Sequence, residues 1–222
     1  DDLVLASADA MQAQLNVRIV TGQTVGQIDM AERIVQLESE SIAFDRLVLA
    51  TGATPIEPQL AGDAVAAIHS VNSLEQYAVF RDGLDKGKRI AVIGSGLVGC
   101  EMMNDLVKAG LSVDMFSLDQ APLAHLVPHE LGNAFKVAYE AHDVKWFMGS
   151  SVTSANYCED QINLLCDGEV QGPYDAVLSA VGLKVESILA DQMGLAFDRG
   201  ICVDRTLSTS CSGVYALGDC AR

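Results

Sequence analysis

The sequence predicts an α/β fold built around a parallel sheet, and three observations carry that prediction. Residues 89–93 form an apolar run of strand length. They lead straight into Gly94-Ser-Gly-Leu-Val-Gly99, and a helical pattern follows. Two further apolar runs, at 46–50 and 176–181, end in Thr51-Gly52 and Gly182. Unbroken apolar strands of this kind are buried on both faces, as in parallel sheets. With 222 residues, half of them hydrophobic and 19 of them glycine, the chain has ample core material.

Taken in order, the chain opens with helical spacing from Leu3 to Leu15 that stops near Asn16. Residues 17–20 and 24–28 read as short strands, 33–37 alternates like another, and 41–44 leads into the 46–50 run. Pro55, Pro58 and Gly62 mark a break and the best linker candidate. Ser73 is placed to cap a helix over 74–84, with Glu75 in its first turn. After the glycine turn, the helical stretch 101–109 ends at Gly110, a C′ glycine, and a strand over 112–116 follows. Pro128 suits the first turn of a helix reaching Ala141. Strands are expected at 144–147, 152–156 and 162–166, with Glu159-Asp160 as a solvated hairpin tip. The tail holds 200–204 and 214–220.

The glycine stretch carries the chemistry. In a dinucleotide fold Gly94 permits the tight strand-to-helix turn. Gly96 lets the backbone approach a pyrophosphate, and Gly99 lets the helix pack close on the sheet. The cradle expected for the phosphates is therefore Gly94, Ser95, Gly96, Leu97, Val98 and Gly99, whose helix-start N–H groups face negative charge. The core around it is Rossmann-like. In such a core an acidic residue near the end of the second strand binds the ribose 2′-hydroxyl. That place falls at Ser117, with Asp119 two residues on. A 2′-phosphate would need Arg or Lys, and none occurs from Leu111 to Phe135, so NADH is expected over NADPH.

Other function classes find little support. A net charge of −16 argues against nucleic acid and against anionic membranes. No apolar run approaches the ~18 residues of a membrane span. The six cysteines are scattered without a CxxC pair and read as reduced packing residues, which points to the cytoplasm. His125 and His129 lie four apart, but Pro128 intervenes; with His69 and His142 lone, no metal site is expected.

Three patterns stand in a fixed order: Phe44-Asp-Arg-Leu-Val-Leu-Ala-Thr-Gly-Ala-Thr-Pro55, then Gly94-x-Gly-x-x-Gly99, then Thr209-Ser-Cys-Ser-Gly-Val-Tyr-Ala-Leu-Gly-Asp219. Together they resemble the pyridine nucleotide–disulfide oxidoreductase superfamily of FAD- and NAD(P)H-dependent flavoproteins. The stretches 71–77, 99–106 and 121–128 look most like its NADH:rubredoxin reductases. The resemblance implies that Ala50, Thr51 and Gly52 form the turn joining the flavin half to the NAD half. It implies that Asp219, beside Gly218, accepts a ribitol hydroxyl of FAD, and that the backbone of Val25 contacts the adenine. Glu101 would lie near the nicotinamide as the positioning or catalytic carboxylate, the alternative being a first-turn carboxylate that favours the helix dipole. Gly182 would close over the nicotinamide, although the proline the family places after this turn is absent from Gly182-Leu-Lys-Val185.

The resemblance also implies a division of the chain. A NAD-binding Rossmann-like domain at 63–198 is inserted in an FAD-binding domain of related fold, present in two pieces at 1–62 and 199–222. The N-terminal flavin glycine motif and the C-terminal domain of the family are absent, so the chain reads as a fragment. The implied activity is NADH oxidation through FAD, with electrons passed to a small carrier such as rubredoxin. The alternatives are a ferredoxin or oxygenase-component acceptor, and a nucleotide-binding module without FAD or catalysis.

Overall fold

The computed structural model describes residues 5–222 apart from Lys86. The chain divides into two compact units. One takes the chain up to Ala53 and again Val185–Arg222, and the other takes Thr54–Lys184. These units divide the chain at 53/54 and 184/185, where the domains expected from the sequence divide at 62/63 and 198/199. The break at Pro55–Gly62 falls inside the second unit because Thr54-Pro55 pairs with Leu183-Lys184 there. Residues 185–198 belong to the first unit, where Ala190, Met193 and Leu195 pack with Ile28 and Leu49.

The first unit begins with helix α1 (Ala8–Leu15), capped by the Ser7 hydroxyl, which accepts from the Ala10 N–H at 3.2 Å. The predicted start at Leu3 lies outside the described residues. The strand expected at 17–20 does not form. The Gln12 carbonyl takes the Val17 N–H and the Gln12 side chain takes the Ile19 N–H, so donors a ladder would need are used locally. Strands β1 (Val25–Asp29), β2 (Ile34–Leu37) and β3 (Ser41–Ala43) make an antiparallel sheet in that order. Strand β4 (Leu47–Leu49) completes this part of the chain.

The second unit holds β5 (Thr54–Pro55), β6 (His69–Ser70) and α2 (Leu74–Asp82), the last capped by Ser73 as predicted. Then come β7 (Arg89–Ile93), α3 (Leu97–Lys108), β8 (Ser112–Ser117), α4 (His129–Glu140) and β9 (Lys145–Met148). The unit ends with β10 (Val152–Cys158), β11 (Gln161–Cys166), β12 (Glu169–Tyr174), β13 (Ala176–Ser179) and β14 (Leu183–Lys184). Five of these strands form an all-parallel sheet in the order β6-β13-β7-β8-β9. The chain returns to the first unit with α5 (Ile188–Gln192) and β15 (Val214–Ala216), which pairs parallel with β4.

Strand alternation decides what each face of the parallel sheet touches. Ile90, Val92, Val113, Met115, Ala176 and Leu178 face the helices, where Phe80, Met103 and Leu106 pack against them. Ala91, Ile93, Phe116 and Val177 face the antiparallel sheet β10-β11-β12, meeting Ala155, Ile162, Leu164 and Tyr174. Both faces are covered, which is why β13 is buried throughout and reads as one apolar run. The similar run at 46–50 behaves differently. Val48 is 51% exposed, because β4 has only β15 beside it among the described residues and buries one face.

Within the second unit the apolar layers enclose one charge. Asp114, 2% exposed, accepts from the Arg89 guanidinium at 2.5 Å and from the Tyr174 hydroxyl at 2.9 Å. The guanidinium also lies 4.8 Å from the Tyr174 ring centre and donates to the Gly172 carbonyl at 3.0 Å. Burial first, and then the Asp114 charge, push the Tyr174 phenol well above its ordinary pKa, so it stays a donor. Removing the carboxylate strands two donors against the core. Asp114→Ala is expected to cost about 2–4 kcal/mol, and Asp114→Asn less, read as a shift of the urea midpoint. Among the described residues no helix is long and apolar enough to cross a membrane.

Candidate functional site

The parallel strands deliver their C-terminal ends to a cavity of about 700 Å³, lined by Ile93 of β7, Phe116 and Ser117 of β8 and Ser179 of β13. Clefts of this size at strand ends are where open α/β sheets bind ligands. The turn Gly94–Val98 forms one wall. Gly94 sits at φ +109°, and a Cβ there would lie 2.3 Å from the Ala180 carbonyl oxygen. At Gly99 a Cβ would lie 2.1 Å from the Gly94 oxygen, so α3 approaches the strand end as closely as backbone allows. Gly96 differs from both. It has nothing within 4 Å of its Cβ position, and it stands at the N-cap of α3. Behind it the N–H groups of Leu97, Val98 and Gly99 begin the helix, with no preceding turn to supply carbonyls.

Side chains tie this turn to the next strand end. The Ser95 hydroxyl donates to the Ser117 hydroxyl at 2.8 Å, and the Asp119 N–H donates to the same Ser117 oxygen at 3.2 Å. Ser95 and Ser117 are 2% and 6% exposed, so Ser117 joins the two loops from inside while Asp119 reaches the rim. There the Asp119 carboxylate lies 3.5 Å from His125 Nε2. The lining carries Glu57, Asp119 and His125 as its titratable side chains and neither Lys nor Arg. Cys100 faces inward and donates its thiol to the Ser95 carbonyl at 3.3 Å. Burial, and then Glu101, push that thiol up to about 11.

The structure thus brings Gly94, Ser95, Gly96, Leu97, Val98, Ser117, Asp119 and Gly182 to one cavity, with Gly99 packed behind the turn. Gly182 adopts φ +112° and accepts from the Ile56 N–H at 2.9 Å. The β5–β14 pairing therefore holds this loop where a proline was expected to. Glu101 is exposed on α3, beyond its first turn, and does not line the cavity. In the first unit, Ala50, Thr51 and Gly52 follow β4, and Gly218-Asp219 follows β15, so the two segments leave neighbouring strand ends. The Leu217 N–H to Leu49 carbonyl bond, 3.0 Å, fixes that adjacency. Gly52 and Gly218 take φ +66° and +73° with open space at their Cβ positions, and Asp219 is exposed. Val25 opens β1 and packs on the unit's core.

Sequence reasoning missed the walls contributed by Ile56, Leu118, Ser150 and Ser151, which come from loops with no motif, and by Leu183 of the two-residue strand β14. His125 was weighed only as a metal ligand. Among the described residues no cluster fit to hold a metal occurs.

Fold and site together define an α/β unit with a parallel sheet and a glycine turn at its strand ends, and a second, smaller unit with paired parallel strands. The profile described as pyridine nucleotide-disulphide oxidoreductase matches residues 4–222, and the chain belongs to that family. A rubredoxin-NAD(+) reductase of Alcanivorax borkumensis is 36% identical over all of this chain and 58% of its own length. A nitric oxide reductase FlRd-NAD(+) reductase of Klebsiella pneumoniae is 34% identical over the same shares. Among solved structures, the covalent putidaredoxin reductase–putidaredoxin complex superposes with a TM-score of 0.90. It is 29% identical, over 98% of this chain and 54% of that one. The chain thus spans a little over half the length of these relatives.

Two variants separate the roles of the glycines. Gly94→Ala meets both the positive φ and the Ala180 carbonyl and is expected to cost at least about 2 kcal/mol of stability. Gly96→Val projects into open space and is expected to stay within about 1 kcal/mol of wild type. Chemical denaturation of both reads the difference. At pH 8 iodoacetamide should label exposed Cys158 and leave Cys100 unmodified in the folded protein, as peptide mass mapping would show.

Proposed function

We propose that the chain is the nucleotide-handling part of an FAD-dependent NADH oxidoreductase that passes electrons to a small one-electron carrier such as a rubredoxin. One observation carries the reading: a helix N-terminus opens onto a cavity at parallel strand ends, beside a carboxylate and with neither Lys nor Arg in the lining. Gly94–Gly99 would hold the pyrophosphate on backbone N–H groups. Asp119 would accept a ribose hydroxyl, and a 2′-phosphate in its place would meet that carboxylate with no Lys or Arg in the lining to offset it. The preference for NADH follows from that charge.

The first unit fits FAD in the residues it offers: two open, positive-φ glycines and an exposed carboxylate on neighbouring strand ends. Gly218, Asp219 and the 50–52 turn would hold it, with Val25 toward the adenine. Bound FAD would supply the redox chemistry, accepting a hydride and releasing single electrons. The chain's part is to place its partners, and Glu101 is the carboxylate proposed to position the nicotinamide. The free state of all six cysteines supports a reducing compartment such as the cytoplasm.

A ferredoxin-type acceptor is the second reading, favoured by the likeness to a reductase solved with putidaredoxin. Titration with NADH and NADPH, followed by nucleotide fluorescence, is expected to give at least ~10-fold tighter NADH binding, lost in Gly96→Val. Tighter NADPH binding overturns the coenzyme reading. The chain loaded with FAD should lose its visible flavin band on anaerobic NADH addition and regain it with an oxidised rubredoxin. A band that NADH leaves unchanged overturns the redox reading.

A further inference from the structure

A row of side chains crosses the parallel sheet where its strands end. Ser179 of β13 is opposite Ile93 of β7, Ile93 is opposite Phe116 of β8, and Phe116 is opposite Phe147 of β9. Partners in register share a face, and this face is the one the antiparallel sheet covers. Ile93 and Phe116 are buried there, and Phe147 stacks on Phe116 with ring centres 4.6 Å apart. Ser179 is the polar member of this apolar row.

The Ser179 side chain makes no hydrogen bond that would explain it among the described residues. The residue is 6% exposed, and its hydroxyl is buried without a hydrogen-bonding partner among the described residues. A hydroxyl brings one donor and two acceptor sites, and burying it unmet is unfavourable, so alanine would serve packing better. Stability therefore gives no reason for serine here. Ser179, Ile93 and Phe116 all line the cavity, so a ligand seated at these strand ends lies against the residue whose hydroxyl lacks a partner, and a turn about its single χ1 bond would bring that hydroxyl to the ligand.

The strand order says which part of a ligand that is. Strand β8, carrying Ser117 and Asp119, lies on one side of β7 and its glycine turn; β13 lies on the other. A dinucleotide with its adenosine ribose at Asp119 and its pyrophosphate on Gly94–Gly99 has the β13 side left for its remaining half. We propose that the Ser179 hydroxyl is a specificity-determining contact for the nicotinamide riboside half of NADH, completing its hydrogen bonding only when the cavity is filled. This rests on the dinucleotide reading above.

Ser179→Ala tests it through effects of opposite sign. Without ligand, its thermal midpoint should equal or exceed that of wild type, because a buried unmet hydroxyl is gone. Its NADH dissociation constant should rise about 3- to 10-fold. Calorimetric titration with ADP, which lacks the nicotinamide riboside, should give the same affinity for both proteins within about twofold. Unchanged NADH affinity overturns the contact, and equal losses for NADH and ADP overturn its assignment to the nicotinamide half. A wild-type chain that binds neither nucleotide fails at the earlier step, sinking the dinucleotide reading itself.

Discussion

The second unit depends on a contact that only glycine allows. Three pieces of backbone meet where β7 ends: the turn at Gly94, the first turn of α3 at Gly99, and the loop at Ala180. The distances available to a Cβ, 2.3 Å at Gly94 and 2.1 Å at Gly99, exclude any side chain. Because these segments touch, α3 starts at the C-terminal end of the central strand β7 with its N–H groups at the cavity. The Ser95–Ser117 bond then locks the turn to β8, and Cys100, kept a thiol by burial, holds the Ser95 carbonyl.

That geometry lets a strongly acidic chain present an attractive surface to an anion. The net charge is −16, and the cavity lining includes Glu57 and Asp119 with neither Lys nor Arg. The attraction must therefore come from aligned peptide dipoles, which act within about the first turn of a helix. Beyond that reach the carboxylates dominate. Such a site separates a phosphate lying on the turn from one placed at the rim, so charge and position together set which nucleotide it would favour.

Much of the fold was legible because its signals are local. The strand–glycine–helix–strand stretch, the Ser73 cap and the Glu159 hairpin depend on residues close in sequence. Strand β12 was not legible. It contains Gly172-Pro173, which reads as a break, and it forms because it lies at the edge of its sheet, where proline is tolerated. The β5–β14 pair was hidden for another reason: two-residue strands 130 positions apart leave no periodicity. Val48 shows the reverse case, an apolar run with the composition of a doubly covered strand but, among the described residues, a strand neighbour on one side only.

The sequence by itself determined the α/β class, the glycine turn, the absence of Lys and Arg beside Asp119, and family membership through three ordered motifs, since each is a property of residue type and spacing. Tertiary structure decided the rest. It placed Ser117 inside as a link between loops, left Glu101 exposed off the cavity, and moved 185–198 into the first unit. It also showed that Ser179 ends an apolar row with its hydroxyl unmet. Those outcomes depend on which distant segments pack together, and packing between segments far apart in the chain leaves no local pattern to read.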